Sequence, residues 1–516
     1  MSSRRPSTGP NSSEAGNWNL ARRLFPALGP LSQLHHRRLC SGLTLAALMI
    51  VPVGITATVA FAAISLRLGV IAARRIGPLV RSVAGNPRTG LASGSGESIN
   101  LGSDIYSGAT VSISDRALAA HGLVLGASGA GKTTTLIRLA SHQIETGGPV
   151  VIIDLKGSPS FEAELRLSAR RAGRELSCWT LDGDSYWNPL AYGNATELKD
   201  KLIATESFSE PHYRRAAERY LQCALHVLGE SGPRDAVTLA RVVEVMNPQR
   251  LAAAAANLPA ARRTAVLDYL RGLAPDQLSA VRGLESRLAL ITESHSGPFL
   301  GPPPQIGQSS PVVDLRRALS GGPVTLLSLN SSSYGQLAAQ LGTVAIQDLI
   351  TAAGARLSEE VDPPQALVVI DEFSAMNTDN LLSLLVRGRE SGVAVLLATQ
   401  ELSDLDRAGR GFRQQVLGST AVKVIHRQDT PESALETSRL AGTAKELEQS
   451  YTRRQGSLGL GSGSSTTSRI VERPVIAPSE AQQLRIGEAV VITKVPRAAT
   501  HVTRIRPAQR DQGHER

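Results

Sequence analysis

The sequence predicts an α/β fold: a mostly parallel sheet with helices on both faces, interrupted by an all-α insertion and preceded by an apolar N-terminal helix. Three observations predict it. From about residue 105 onward, short and almost wholly apolar runs alternate with helical stretches, which is the pattern of parallel strands buried on both faces. A glycine-rich turn of fixed spacing joins the first of these runs to a helix. Between about 197 and 297 the strand signal gives way to apolar residues at helical spacing, beginning with Tyr213, Ala216, Ala217, Tyr220, Leu221, Ala224, Leu225 and Leu228.

The N-terminal hundred residues differ from the rest. They hold eleven Arg, no Lys and two Glu, so almost the whole net charge of +10 resides there. That balance says nothing of a basic surface on the remaining chain. Residues 41–66 carry no charge; as a helix they would reach about 39 Å, against about 30 Å of hydrocarbon. The expectation is one transmembrane helix, or a re-entrant turn about Pro52. Arginines at 22, 23, 37 and 38 balance those at 67, 74, 75 and 81, so loop charge does not set the orientation. The motifs read below place the domain that follows on the cytoplasmic side of a single-pass anchor in the cell membrane.

The strand runs fall at 123–125, 150–153, 177–181, 324–329, 366–370, 393–397 and 421–425. The insertion's apolar stripe reads most simply as its own core. Leu300-Gly-Pro-Pro-Pro304 marks the return loop, and residues 456–466 read as a Gly/Ser-rich loop, followed by strand-like pieces at 469–473 and 489–493. The expected organisation is a basic tail at 1–40, a membrane segment at 41–67 and a linker at 68–104. A nucleotide-binding domain at 105–196 and 298–500 is split by the insertion at 197–297, and a tail follows at 501–516. Cys40, Cys178 and Cys223 are too scattered for a metal site or a disulfide framework.

The chemistry begins at Gly126-Ala127-Ser128-Gly129-Ala130-Gly131-Lys132-Thr133, which has the spacing G-x-x-x-x-G-K-[ST] and runs into a helix from Thr134. Glycines there let backbone N–H groups wrap a phosphate chain; Lys132 can reach the β- and γ-phosphates and the Thr133 hydroxyl can take Mg²⁺. The chain is therefore expected to bind a nucleoside triphosphate, ATP with Mg²⁺, in a RecA-like P-loop NTPase domain. The run at 366–370 ends in Asp371-Glu372. Asp371 is the expected metal residue and Glu372 the expected base for the attacking water. The run at 393–397 leads to Gln400, an amide placed to sense the γ-phosphate or the water. Arg387 and Arg389 end the intervening helix, where an arginine can stabilise charge on a neighbouring subunit's phosphate. Arg407, Arg410 and Arg413 read as a solvated helix face, with the lining of a channel as the alternative.

These motifs occur in a recognisable order: the phosphate loop, Asp154-Leu-Lys156-Gly157, Asn188-Pro189-Leu190, the helical insertion, Ile370-Asp371-Glu372-Phe373 and Ala398-Thr399-Gln400. Over roughly 105–500 the chain resembles the type IV coupling proteins, the TraD/TraG-type conjugative DNA-transfer ATPases within the FtsK/HerA-like motors. The resemblance implies a homo-hexamer with ATP at subunit interfaces and a central channel for DNA. It also implies an insertion that receives a DNA–relaxase complex and docking to a membrane secretion channel. By motif position Arg389, eleven residues before Gln400, matches the family's interfacial arginine. Two departures stand out: one membrane segment is readable where the family has two, and no winged-helix segment follows residue 500. The leading expectation is a membrane-anchored, ATP-driven DNA translocase. An FtsK-like motor for protein secretion and a non-motor, membrane-tethered nucleotide switch are the alternatives.

Overall fold

The computed structural model describes residues 98–508 except 207, 209, 233–236, 305–309, 360–362, 377–378, 408, 410 and 456–461. Its centre is an eleven-stranded sheet. In chain order the strands are β1 (Ser98–Asp104), β2 (Thr110–Ser114), β3 (Gly122–Leu125), β4 (Val150–Asp154), β5 (Leu176–Thr180), β6 (Tyr186–Trp187), β7 (Val312–Val313), β8 (Val324–Ser328), β9 (Ala366–Asp371), β10 (Val393–Thr399), β11 (Val422–His426), β12 (Thr443–Gln455), β13 (Ser462–Pro474), β14 (Glu488–Thr493) and β15 (Ala499–Ile505). The sheet order is β2-β1-β15-β14-β11-β3-β10-β9-β4-β8-β5. From β11 to β5 all neighbours are parallel, and β14, β15, β1 and β2 extend the sheet antiparallel.

The apolar runs explain this arrangement. Every residue of β3, β4, β9, β10 and β11 is buried, as strands covered on both faces require. Val124, Ile152, Val369 and Leu396 face one core with the helices Lys132–Glu145 and Pro159–Arg171. Leu125, Ile153, Ile370 and Leu397 face the other, with the helices Ser331–Glu359 and Asp379–Glu390. Parallel strands need such crossovers, and each returns the chain so that β3, β4, β9 and β10 end on the same edge.

The insertion folds as helices Ala195–Ile203, Pro211–Ser231, Leu239–Val245, Pro248–Ala254, Ala260–Arg271 and Pro275–Thr292. Asn194 caps the first with a reciprocal Glu197 contact. Tyr220, Leu221, Leu284 and Leu288 sit in one continuous core with the second sheet face. A buried ion pair, Lys201 Nζ to Asp348 Oδ1 at 2.6 Å, ties the insertion to the helix Ser331–Glu359.

The structure departs from the sequence reading at both margins. β1 lies in the stretch read as linker and β15 reaches Ile505; together with β2 they were not legible as strands. β12 and β13, thirteen residues each, pair antiparallel, so 462–466 is strand rather than loop, while 456–461 lie outside the described residues. The expected membrane location is corrected: among the described residues no helix is long and apolar enough to cross a membrane. The N-terminal transmembrane helix of the expected fold is not supported, and its segment, 41–67, lies outside the described residues.

Candidate functional site

β3 delivers the phosphate loop to the carboxyl edge of the sheet. Gly126 N–H donates to Gln400 O at 3.1 Å, Ala127 N–H to Arg427 O at 3.0 Å, and Gly487 N–H to Ala130 O at 2.9 Å. The loop is thus braced from β10, from the end of β11 and from the turn before β14. Glycine is required at two places. A Cβ on Gly126 would come within 2.7 Å of His426 Cβ. Gly131 has φ +112°, and its Cβ would meet Gly487 N at 3.0 Å. The helix Lys132–Glu145 starts directly behind the loop. Its first-turn N–H groups, from Lys132 to Thr134, have no intrahelical acceptor, and with the helix dipole they favour an anion.

β9 brings the carboxylates to the same edge. Lys132 Nζ lies 2.7 Å from Glu372 Oε1 and 3.7 Å from Asp371 Oδ1. Gln400, just beyond β10, donates from Nε2 to Glu372 Oε1 at 3.2 Å. Glu372 sits at φ 55°, ψ 40°, a left-handed conformation that side chains rarely adopt and that concentrates at functional sites. Its N–H donates to Asp371 Oδ1 at 3.0 Å. Burial pushes the Asp371 carboxyl up to about 6; Lys132 opposes the rise, while Asp154 and Glu372 add to it.

The structure therefore brings Lys132, Asp371, Glu372 and Gln400 together beside Gly126–Thr133. Two further contributors figure in the sequence reading only through the order of their motifs, with no role assigned. Asp154 ends β4 in register with Asp371; burial raises its pKa, opposed by N–H bonds from Ser158 at 2.8 Å and Lys156 at 2.9 Å. An acid closing an apolar strand is the same signal that marks Asp371, and it was available at Asp154. Thr399 Oγ1 donates to Asp404 Oδ2 at 2.9 Å, with Ser374 Oγ at 3.1 Å, fixing the end of β10 where Gln400 begins.

Arg389 is placed elsewhere. It ends the helix Asp379–Glu390, before β10 begins, and its charge acts on His121 at the start of β3. Gln400 follows the far end of β10, so a strand length of roughly 20 Å separates Arg389 from the site of its own chain. Arg387 is likewise exposed in that last turn. Arg407 and Arg413 pair with Asp404 and with Asp406 and Glu436, and Arg410 lies outside the described residues.

The constellation fits a triphosphate and its metal. Among the described residues no group of three or more His, Cys, Asp or Glu is arranged to hold a metal. Mg²⁺ is usually held by one or two carboxylates together with the phosphates, and Asp371 stands among carboxylates, Asp154 and Glu372, whose mutual repulsion a cation would relieve.

Family comparisons agree with this geometry. The family described as the TraM recognition site of TraD and TraG matches residues 365–485, which carry β9, β10, β11, β12 and β13. The family described as helicase HerA-like C-terminal matches residues 101–165, which carry the phosphate loop. The chain is type IV coupling protein-like. No curated protein matches it by sequence. The bacterial conjugative coupling protein TrwBdeltaN70 aligns over 80% of this chain and 90% of its own, at 16% identity and TM-score 0.55. The plasmid coupling protein TrwB in complex with ADP and Mg²⁺ aligns over 78% and 88%, at 16% identity and TM-score 0.53. VirB4 of Thermoanaerobacter pseudethanolicus aligns over 81% and 98%, at 15% identity and TM-score 0.51. At these identities the structures establish a shared fold: a TrwB-like P-loop NTPase fold with a mostly parallel α/β sheet.

Proposed function

We propose that this chain hydrolyses ATP with Mg²⁺ to drive DNA, or a DNA–relaxase complex, toward a secretion channel, working as a homo-hexamer with its sites at subunit interfaces. The observation that carries the reading is the convergence of Lys132, Asp371, Glu372 and Gln400 on the phosphate loop within a coupling-protein-like fold. The phosphate loop and the N–H groups of Lys132–Thr134 bind the phosphates. Lys132 exchanges its carboxylate partners for β/γ-phosphate oxygens; Thr133 and Asp371 would hold the metal, which would supply charge neutralisation on the phosphates. That exchange leaves Glu372 to orient and deprotonate the attacking water, with Gln400 held against it. Arg389, too far from its own site, acts on the neighbouring subunit's phosphate. Resemblance supports relaxosome and secretion-channel components as partners.

The test is ATP turnover of the full chain with and without single- and double-stranded DNA, across salt and protein concentration. The reading expects turnover that rises with assembly and with DNA, the DNA effect fading as salt increases because phosphate contacts set affinity. Turnover indifferent to DNA would favour protein substrates instead. Slow turnover that assembly does not change would favour a nucleotide switch.

A further inference from the structure

His426, the last residue of β11, is fully buried behind the phosphate loop and has no place in the chemistry above. Its Nδ1 lies 3.0 Å from the Glu488 carbonyl oxygen and its Nε2 lies 2.9 Å from Thr135 Oγ1. A carbonyl only accepts, so Nδ1 carries the proton and donates to it. Nε2 then holds the lone pair and takes the Thr135 hydroxyl proton. Burial holds the ring's pKa down to about 4, which keeps this neutral tautomer at physiological pH. Thr135, also fully buried, belongs to the first turn of the helix that receives the phosphates.

The other end of the relay is equally tied. Gly487 N–H reaches Ala130 O in the phosphate loop, and Ile505 N–H reaches Gly487 O at 2.7 Å. Glu488 Oε2 accepts from Arg485 N–H and its Oε1 from Arg504 Nη2, each at 3.0 Å. The turn 485–488 is thereby bonded directly to the loop at Ala130 and, through the imidazole, to Thr135 in the helix behind it. The imidazole also fills the space that a side chain at position 126 would need.

We propose that His426 is a positioning residue that holds the phosphate loop in its nucleotide-receiving shape, by bonding Thr135 on one side and the Glu488 carbonyl on the other. The inference rests on the nucleotide-binding reading of the loop. It assigns His426 and Thr135 to affinity rather than to the chemical step.

Two substitutions separate the bonds. His426→Asn keeps a donor where Nδ1 sits and loses the acceptor at Nε2. Thr135→Val removes the hydroxyl at nearly constant shape. Titration of the full chain with ATP and Mg²⁺ in a calorimeter, beside steady-state turnover, is the measurement. Each variant is expected to weaken Mg²⁺–ATP binding by about three- to tenfold, the worth of one internal hydrogen bond, with turnover at saturating ATP unchanged. The double variant is expected to be no weaker than the worse single one, because both changes break the same bond. Thr135→Ser, which keeps the hydroxyl, should bind like wild type. Wild-type affinity in Thr135→Val, full additivity in the double variant, or lost saturating turnover at unchanged affinity would each overturn the assignment. Should His426→Asn not fold, the Thr135→Val and Thr135→Ser pair decides alone. A wild-type chain that fails to bind Mg²⁺–ATP would instead sink the nucleotide reading itself.

Discussion

The ammonium of Lys132 rests 2.7 Å from Glu372 Oε1, in a pocket where both side chains are largely buried. The lysine neutralises both carboxylates of the proposed hydrolytic site. Binding and chemistry should therefore come apart by mutation. Lys132→Ala removes the phosphate's cation and leaves Asp371 and Glu372 without their neutralising charge; ATP binding should be lost. Glu372→Gln keeps the shape and the Lys132 contact, so ATP should still bind while turnover falls by about 10²- to 10⁴-fold, the usual worth of a general base. Equilibrium binding and turnover measured on the same preparations check both. Turnover near wild type in Glu372→Gln would remove that residue from the base role.

The loop's glycines make a second, purely steric prediction. Gly131 has φ +112° and its Cβ would lie 3.0 Å from Gly487 N. Gly131→Ala should cost about 1–3 kcal/mol, as strained left-handed positions do. Gly129 has a similar backbone sign, φ +75°, but open space around it. Gly129→Ala should therefore destabilise less. Thermal unfolding of the two variants ranks them; equal losses would mean that backbone strain alone, and not the contact with Gly487, requires glycine at position 131.

The insertion's attachment is testable through its buried ion pair. Lys201 Nζ bonds Asp348 Oδ1 at 2.6 Å and also the carbonyls of Pro189 at 2.9 Å and Tyr192 at 3.0 Å. Burial pushes the Asp348 carboxyl up, and Lys201 opposes it. Lys201→Met strands that carboxylate, so unfolding by denaturant should show a loss of about 3–5 kcal/mol. Adding Asp348→Leu should recover much of it. A single variant as stable as wild type would show that Asp348 already rests uncharged.

How much of this was legible in the sequence follows from the physics of each element. Most of the seven parallel strands announced themselves because both their faces are buried, which leaves little room for polar residues; β5, at the sheet's edge, is only partly buried. The site residues followed, since Asp371, Glu372 and Gln400 stand where apolar runs stop. β1, β2 and β15 were hidden because strands near the open edge alternate or admit polar residues such as Ser98, Asn100 and Thr500. β12 was hidden for a different reason: Lys445, Glu446, Glu448 and Gln449 form strands poorly alone. Cross-strand partners, Lys445 with Glu472 and Glu448 with Arg469, provide pairing that no single-strand pattern displays. His426 reads as an ordinary strand end until the fold brings Thr135 and Glu488 to its two nitrogens.

Lys423 makes a pH prediction far from the nucleotide. It is buried in β11, donating to Thr420 O at 2.7 Å, and burial, with Lys494 nearby, lowers its pKa to about 7 from an ordinary 10.5. The folded chain therefore binds fewer protons here than the unfolded chain between about pH 7 and 10.5. Stability must rise with pH across that window. Relative to Lys423→Met, the wild type should gain in melting temperature between pH 7 and pH 9.5. A difference that stays constant over that range would mean that Lys423 keeps its charge when folded.

Arg389 yields the prediction that tests assembly. His121 accepts Val395 N–H at Nδ1 and donates from Nε2 to Leu385 O, at 3.0 and 2.7 Å. This bond pair locks the end of the helix Asp379–Glu390 to the amino edge of β3 and β10. Arg389 leaves that locked corner exposed to solvent, on the edge opposite the phosphate loop. An arginine so placed cannot reach a phosphate held by its own loop, so the proposed role requires a neighbouring subunit. Arg389→Ala should therefore leave Mg²⁺–ATP binding by dilute, unassembled chain unchanged. In the assembled state it should lower turnover by about 10³-fold or more, the effect of removing an arginine supplied in trans. Mixing excess Glu372→Gln chains with Arg389→Ala chains supplies the missing guanidinium from the neighbour and should restore part of the turnover. Full activity of assembled Arg389→Ala, or no rescue on mixing, would place the transition-state charge in the care of another residue.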